Sequence, residues 1–386
     1  MINMTMFDRN ASRKPCLLKW GASHFLKDCH WEMKKTTFIL STLIICMGCA
    51  VIPGKPATPN RTVFYPPLPQ QPRLQFLYSI SGEHDIEKKQ SAFKEFIIGK
   101  LNYKILGRPY DVGASRGKIY MLDRMYRRIV ILDLENKNMS FLNDQGVGTL
   151  GNPSGIWISE ENYKYVADMQ RKQVVVFDEN DDFLRTYGSG EIFEKPVDVA
   201  VFENRVYIVD IEKNQLFIMD RDTGKVIKAI GDEGDFFKPS HVTVGPSGNV
   251  YVNDALNFRV KKFTPDGILA DIIGFHGDQI GGFARPKGLA VDRDGNLYAV
   301  DAAFENVQIF NDQGKLLLFF GGAGYGPGNM CLPAGITIDY KNVGHFSKFA
   351  DPNFKVEYLV YVTNTYGERK FNVYGFGHWI GDTLPE

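Results

Sequence analysis

From residue 73 onward, apolar and polar positions alternate in short runs that end in Gly, Asn, Asp or Pro. Leu74, Phe76, Tyr78 and Ile80 alternate with polar or smaller neighbours. Further along, Val250 and Val252 alternate with Asn249 and Tyr251. A period of two puts successive side chains on opposite faces of an extended chain, so these runs predict antiparallel strands. The runs recur as a unit. Each unit opens on a proline, at Pro109, Pro153, Pro196, Pro239, Pro286 and Pro333, with intervals of 43 to 47 residues. Within a unit come a strand, a turn, a second strand ending in Asp, a third strand ending in an aromatic-polar turn, and a fourth strand ending in Gly. The unit beginning at Pro286 shows this plainly: Pro286 to Val291, a turn at Asp292 to Gly295, Asn296 to Asp301, Asn306 to Phe310, a turn closing at Gly314, then Lys315 to Gly321. Gly at the turns supplies the positive φ that tight hairpins need. Repeats of this length mark a propeller or a solenoid. No helical periodicity of ten residues separates the units, which argues against βα repeats.

The pattern Pro-x-x-[Val/Ile/Leu], then Gly-[Asn/Lys]-[Val/Leu/Ile]-Tyr, Asp, and [Arg/Asn]-[Ile/Val]-x-x-Phe resembles the NHL repeat of six-bladed β-propellers, over roughly residues 73–377. No Trp-Asp pair ends a third strand, as a WD40 propeller would require. The resemblance implies an all-β fold, a six-bladed β-propeller of four-stranded blades. The last unit runs out after three strands, and the segment Arg73 to Gly82 reads like the fourth strand at Lys315 to Gly321. The N-terminal strand is therefore expected to complete the last blade, tying the chain ends together and hiding strand edges. Two segments break the repeat. Ile86, Phe93, Phe96, Ile97 and Leu101 form a helix-like stripe, giving a helical insertion near 84–101 that either packs across a propeller face or docks a membrane or partner. Residues 341–355 form an insertion between the first two strands of the last blade.

The first seventy residues read as an address. Lys34-Lys35, the apolar run Phe38 to Met47 and Gly48-Cys49-Ala50 have the order of an export signal, and the run is too short to span a bilayer. Gly48-Cys49 resembles the lipobox of bacterial lipoproteins, with Cys46 where that family prefers an aliphatic residue. The resemblance implies a signal peptide at 33–48, lipidation of Cys49 and an extracytoplasmic, membrane-anchored protein on the periplasmic or outer-membrane side of a bacterium. Residues 1–32, with Asp8, Asp28 and Glu32 and no clean apolar run, read as an over-extended start. Seven of the 19 prolines fall in 49–72, which predicts an extended tether. The propeller then spans 73–380.

Charge and cysteine content narrow the function. The 386 residues carry 45 basic and 45 acidic side chains, and removal of 1–48 leaves a modest acidic excess. Nucleic-acid binding is disfavoured by that balance and by export. Beyond Cys49 the only cysteine is Cys331, so no internal disulfide supports the domain, and Cys331 reads as a small buried residue.

Two sets of residues could carry chemistry. Asp123, Asp168, Asp210, Asp254 and Asp301, with Asn364 in the sixth place, end the second strands. A residue needed in every blade reads as a turn-former accepting backbone N–H groups. The residues two after each repeat proline are Asp111, Gly155, Asp198, His241, Gly288 and Gly335. They are expected to form an open polar ring at one mouth of the central channel. Asp111, Asp198 and His241 are its candidate ligand site, polar because the channel holds water or because they hold a divalent metal such as calcium. The chain lacks His-Glu-x-x-His and P-loop motifs. The reading that follows is a non-catalytic, monomeric binding platform without a cofactor, for an envelope or extracellular protein or a glycan. The alternative is a metal-dependent hydrolase or lyase of the gluconolactonase- or paraoxonase-like propeller type, working at the channel mouth.

Overall fold

The computed structural model describes residues 62–86, 104–142, 145–231 and 234–384. The expected signal, Cys49 and nearly all of the helical insertion near 84–101 lie outside these residues. Six antiparallel sheets make up the described chain, five each built from one sequence repeat and the sixth from the last repeat joined by N-terminal strands. Blade 1 consists of Pro109–Ser115, Lys118–Asp123, Arg128–Asp133 and Asn138–Phe141, innermost strand first. Blades 2 to 5 begin at Pro153, Pro196, Pro239 and Pro286 and repeat the same order. The expected six-bladed β-propeller of four-stranded blades is the fold observed.

Blade 6 is assembled from both ends of the chain. Pro333–Asp339, Phe354–Asn364 and Phe371–Trp379 come from the C-terminal repeat, and Leu74–Ile80 pairs beside the last of them. Leu74 is opposite Phe376, Phe76 opposite Tyr374 and Ile80 opposite Phe371. Leu74 and Ile80 are fully buried because that register turns them into the clusters on either side of the blade. Within the segment expected to be tether, Phe64–Tyr65 adds a fifth strand to this sheet, with Phe64 opposite Gln75. The Phe64 ring packs edge-on to Trp379 and the Tyr65 hydroxyl donates to Gly328 O at 3.0 Å. Aromatic side chains on both faces explain why so proline-rich a stretch still enters the sheet. The 341–355 insertion folds as a short helix, Val343–Phe346, followed by one 3-10 turn.

Two repeated residues explain how the blades hold together. The second-strand tyrosines Tyr120, Tyr165, Tyr207, Tyr251, Tyr298 and Tyr361 are almost wholly buried. Their hydroxyls reach past their own ring packing to a polar partner, usually on the next blade. Tyr120 donates to Asp181 at 3.0 Å, Tyr207 to Pro265 O at 3.1 Å, and Tyr298 shares a 2.7 Å bond with Tyr358. A Phe could fill the volume but would leave these partners unpaired. The residues ending each second strand also behave as the sequence suggests. Gly107, Arg108 and Met125 N–H donate to the Asp123 carboxylate at 2.7, 3.0 and 2.9 Å. Gly151, Asn152, Gln170 and Arg171 make the same bonds to Asp168. One buried side chain thus fixes both the turn after its own strand and the loop leading to its blade's proline.

Candidate functional site

The six innermost strands run side by side around the channel, and the residues two after the prolines form one layer there. The expected open polar ring is not what this layer builds. Tyr110 of blade 1 reaches across to His241 of the opposite blade 4, with ring centroids 5.8 Å apart and planes inclined by 28°. That stack spans the channel and plugs it. The glycines of the layer are points of close approach, not openings. A Cβ on Gly155 would overlap Asp198 Oδ1 and lie 2.7 Å from Val197 O. A Cβ on Gly335 would lie 2.7 Å from Tyr110 O, and one on Gly288 would lie 2.5 Å from Ala334 O.

Asp111, Asp198 and His241 are all buried in this layer. Each carboxylate spans two blades. Val112 N–H of its own strand donates to Asp111 at 2.9 Å and Ile156 N–H of blade 2 at 2.8 Å. Asp198 likewise receives Val199 N–H at 2.9 Å and Val242 N–H of blade 4 at 2.9 Å. Other junctions use other groups. Ser154 donates to Pro196 O at 3.3 Å, Asn253 Nδ2 to Pro286 O at 2.9 Å, and Thr363 Oγ1 to Tyr110 O at 3.2 Å. His241 Nδ1 lies 3.1 Å from Ser240 Oγ. The two carboxylates therefore have their oxygens committed to backbone donors. Among the described residues no three His, Cys, Asp or Glu side chains are gathered in a way that could hold a metal ion. This donor set does not fit a divalent cation. Cys331 is half-buried and forms no disulfide, not the buried residue expected.

Burial raises the Asp111 carboxyl to about 6, against the pull of its two backbone donors. Asp198 is pushed up further, by burial and then by the Asp111 charge. His241 is held down to about 3 by burial, with the positive charges of Lys287 and Arg124 adding to the effect. A depressed folded value means that the unfolded chain takes up a proton the folded one refuses, so His241 costs stability as pH falls from about 6.5 towards 3. The raised carboxyls act in the opposite direction between about 6 and 4, where the folded state binds the extra proton. His241→Phe, which keeps the stack on Tyr110, should therefore gain on the wild type by about 3 kcal/mol between pH 6.5 and pH 4. Urea unfolding at intervals across that range measures it, and parallel curves for the two proteins would refute the neutral imidazole.

On one side of the plug lies a blind cavity of about 450 Å³. Its floor is Asp111, Asp198 and His241, and the innermost strands wall it with Val112, Ile156, Val199, Val242, Leu289 and Ile336. Charged and aromatic residues surround the opening, among them Glu161, Glu203, Arg221, Arg293 and Tyr340. Arg221 is fixed there by Glu161 at 3.2 Å and by a 2.9 Å bond from its Nε to the Tyr165 hydroxyl. Asp111, Asp198 and His241, expected as a candidate ligand site at the channel mouth, lie instead at the cavity floor, and the sequence did not point to this rim. Glu161, Glu203, Arg293 and Tyr340 follow the innermost strands in the first hairpin of their blades, so their register relative to the proline could have identified them, whereas Arg221 comes from the turn after a third strand.

A six-bladed propeller with a blind central cavity is the class that this architecture defines. No protein-family model matches the sequence. No curated protein matches it either. Solved structures do match in fold. An auxiliary nutrient binding protein from Bacteroides thetaiotaomicron superposes with a TM-score of 0.56 at 13% identity, over 80% of this chain and 77% of that one. A gluconolactonase from Xanthomonas campestris gives 0.52 at 14% identity, over 78% and 98%. A streptogramin B lyase gives 0.52 at 12% identity, over 70% and 94%. At these identities the likeness establishes the propeller and nothing of its chemistry.

Proposed function

We propose that this protein is an NHL-type propeller, anchored by lipid at Cys49 on the extracytoplasmic side of a bacterial envelope, that binds a ligand and does no chemistry on it. The observation that carries this reading is the blind cavity, whose size and wall of aliphatic side chains interspersed with polar ones such as Thr243 and Thr337 suit a small molecule or a protruding group of an envelope protein or glycan. Its floor carboxylates are engaged with backbone N–H groups and its imidazole is held neutral, which leaves no free nucleophile or metal centre at that depth. The nutrient-binding role in the name of one propeller neighbour agrees with this reading.

Two measurements test it. In a bacterial host, Cys49→Ala should move the full chain out of the membrane fraction, and a variant that stays there removes the lipid anchor from the proposal. For binding, wild type and Thr337→Trp, which narrows the cavity, are incubated with envelope extract, and the molecules retained are compared by mass spectrometry. Species held by wild type and lost from Thr337→Trp support the cavity, while identical retention refutes it. Chelator, calcium and zinc are each expected to leave the melting temperature unmoved. A metal-dependent rise abolished by Asp111→Ala, Asp198→Ala or His241→Ala would replace binding with the metal-dependent hydrolase reading.

A further inference from the structure

The other side of the plug carries a second feature, and no part of it lines the cavity. Arg124, the residue after the strand-ending Asp123, lays its guanidinium 3.5 Å from the centroid of the Tyr110 ring. Tyr110 in turn stacks on His241, so the guanidinium sits over the middle of the closed channel. Lys287 and Arg285 flank Pro286 at the start of blade 5 and approach from that side. Lys287 is half-buried, and its ammonium is held down to about 8 by burial and by the neighbouring charges of Arg285 and Arg124. Three cations thus converge on one mouth.

Among the described residues, none of these three side chains forms an ion pair or donates a hydrogen bond, and Arg124 Nε is buried without a partner. Elsewhere on this face Lys195 and Lys238 both pair with Glu212, and Arg259 pairs with Asp254. The carboxylates around the cluster are engaged by backbone donors: Asp123 receives Gly107, Arg108 and Met125 N–H, Asp301 receives Ala284, Arg285, Ala303 and Phe304 N–H, and Asp111 and Asp198, behind the Tyr110–His241 stack, receive two each. Converging, partly desolvated charges of one sign repel and carry a desolvation cost, and an arriving anion removes both penalties. A guanidinium braced flat on an aromatic ring keeps its N–H edge available for the planar, paired contacts that carboxylates and phosphates offer.

We infer that this mouth is an anion site, in which Arg124, Arg285 and Lys287 receive the carboxylate or phosphate group of a small ligand. It is separate from the cavity and stands or falls independently of it. The channel plug then has a ligand position on each side, the cavity on one and a cationic mouth on the other.

The test uses the full chain at low ionic strength, titrated by calorimetry and thermal unfolding with inorganic phosphate and, separately, with citrate. Saturable binding of at least one is expected, and which of them binds identifies the group. Lys287→Met and Arg124→Gln should each weaken that binding at least tenfold. Arg116→Gln, at an exposed hairpin on the opposite face, should leave it unchanged. In anion-free buffer Lys287→Met should melt higher than wild type, because it removes a repelled charge, and should lose the anion-dependent rise. Arg285→Gln, on an exposed side chain, keeps the test open should either inner change disturb folding. The inference is overturned if neither anion binds wild type, if all three mouth variants bind as wild type does, or if Arg116→Gln loses as much as they do.

Discussion

Excision of residues 62–82 should abolish cooperative unfolding of the propeller. The excised segment contributes Phe64, Leu74, Leu77 and Ile80 to the buried core, and Leu77 and Ile80 join the same cluster as Val112 and Ile119 of blade 1. Burying four such side chains stabilises a fold by roughly 6–12 kcal/mol. That is comparable to the entire stability of an ordinary domain, about 5–15 kcal/mol. The loss would also bare the edge of Phe371–Trp379, a nine-residue strand that pairs through six residues with Leu74–Ile80 on that side, and invite pairing between molecules. The expected observation is a broad or absent melting transition accompanied by aggregation. A sharp transition at the wild-type temperature would show that blade 6 closes without its N-terminal strands. Leu74→Ala offers a milder probe, with an expected loss of about 2–5 kcal/mol.

Gly155→Val should be the most damaging single substitution in the channel layer, by about 4 kcal/mol or more, because its Cβ meets the Asp198 carboxylate and the Val197 carbonyl at once. Neither obstacle can move cheaply. The carboxylate is held by two backbone N–H groups, and the carbonyl belongs to a neighbouring innermost strand. Gly344 supplies the contrast. Nothing lies within 4 Å of a Cβ built there, and the residue is inside the short helix Val343–Phe346. Gly344→Ala should be neutral or stabilising by up to about 1 kcal/mol. Chemical denaturation of both variants decides the matter. Equal effects would mean that the glycines of the layer are interchangeable with other small residues, against the close approach described above.

Much of this fold was legible because its signals are local and repeated. Alternation identifies a strand from a handful of residues, and six prolines at nearly equal spacing turn many local readings into one architecture. The closing strand could be found because Leu74, Phe76, Tyr78 and Ile80 repeat the pattern of a fourth strand in a place where no blade had yet begun. The sheet position of Phe64–Tyr65 was hidden by its prolines, since composition reports the surrounding spacer and not the aromatic pockets that two residues fill. The site was half legible. Counting two residues from each proline selected the correct layer of the channel, yet the direction of each side chain depends on partners more than forty residues away. Asp111 reads as a potential ligand until Ile156 N–H is seen to occupy it. Tyr110 and Lys287, one residue nearer the proline, were passed over because only the bulk of Tyr110 and its reach to an opposite blade make that position matter.

The seam in blade 6 also has a direction. Leu74 begins its strand opposite Phe376, and Ile80 ends it opposite Phe371, so the N-terminal end of one strand lies beside the C-terminal end of the other. A pull applied at residue 62 and resisted at the C-terminal end would load the hydrogen bonds of this pair one after another, as in a zipper, and not all together in shear. Phe64–Tyr65 stands first in line, held by only two residue pairings. The join that resists heat through its buried leucines should therefore yield readily to tension, peeling from the outer strand inwards and opening blade 6 before any other blade is strained.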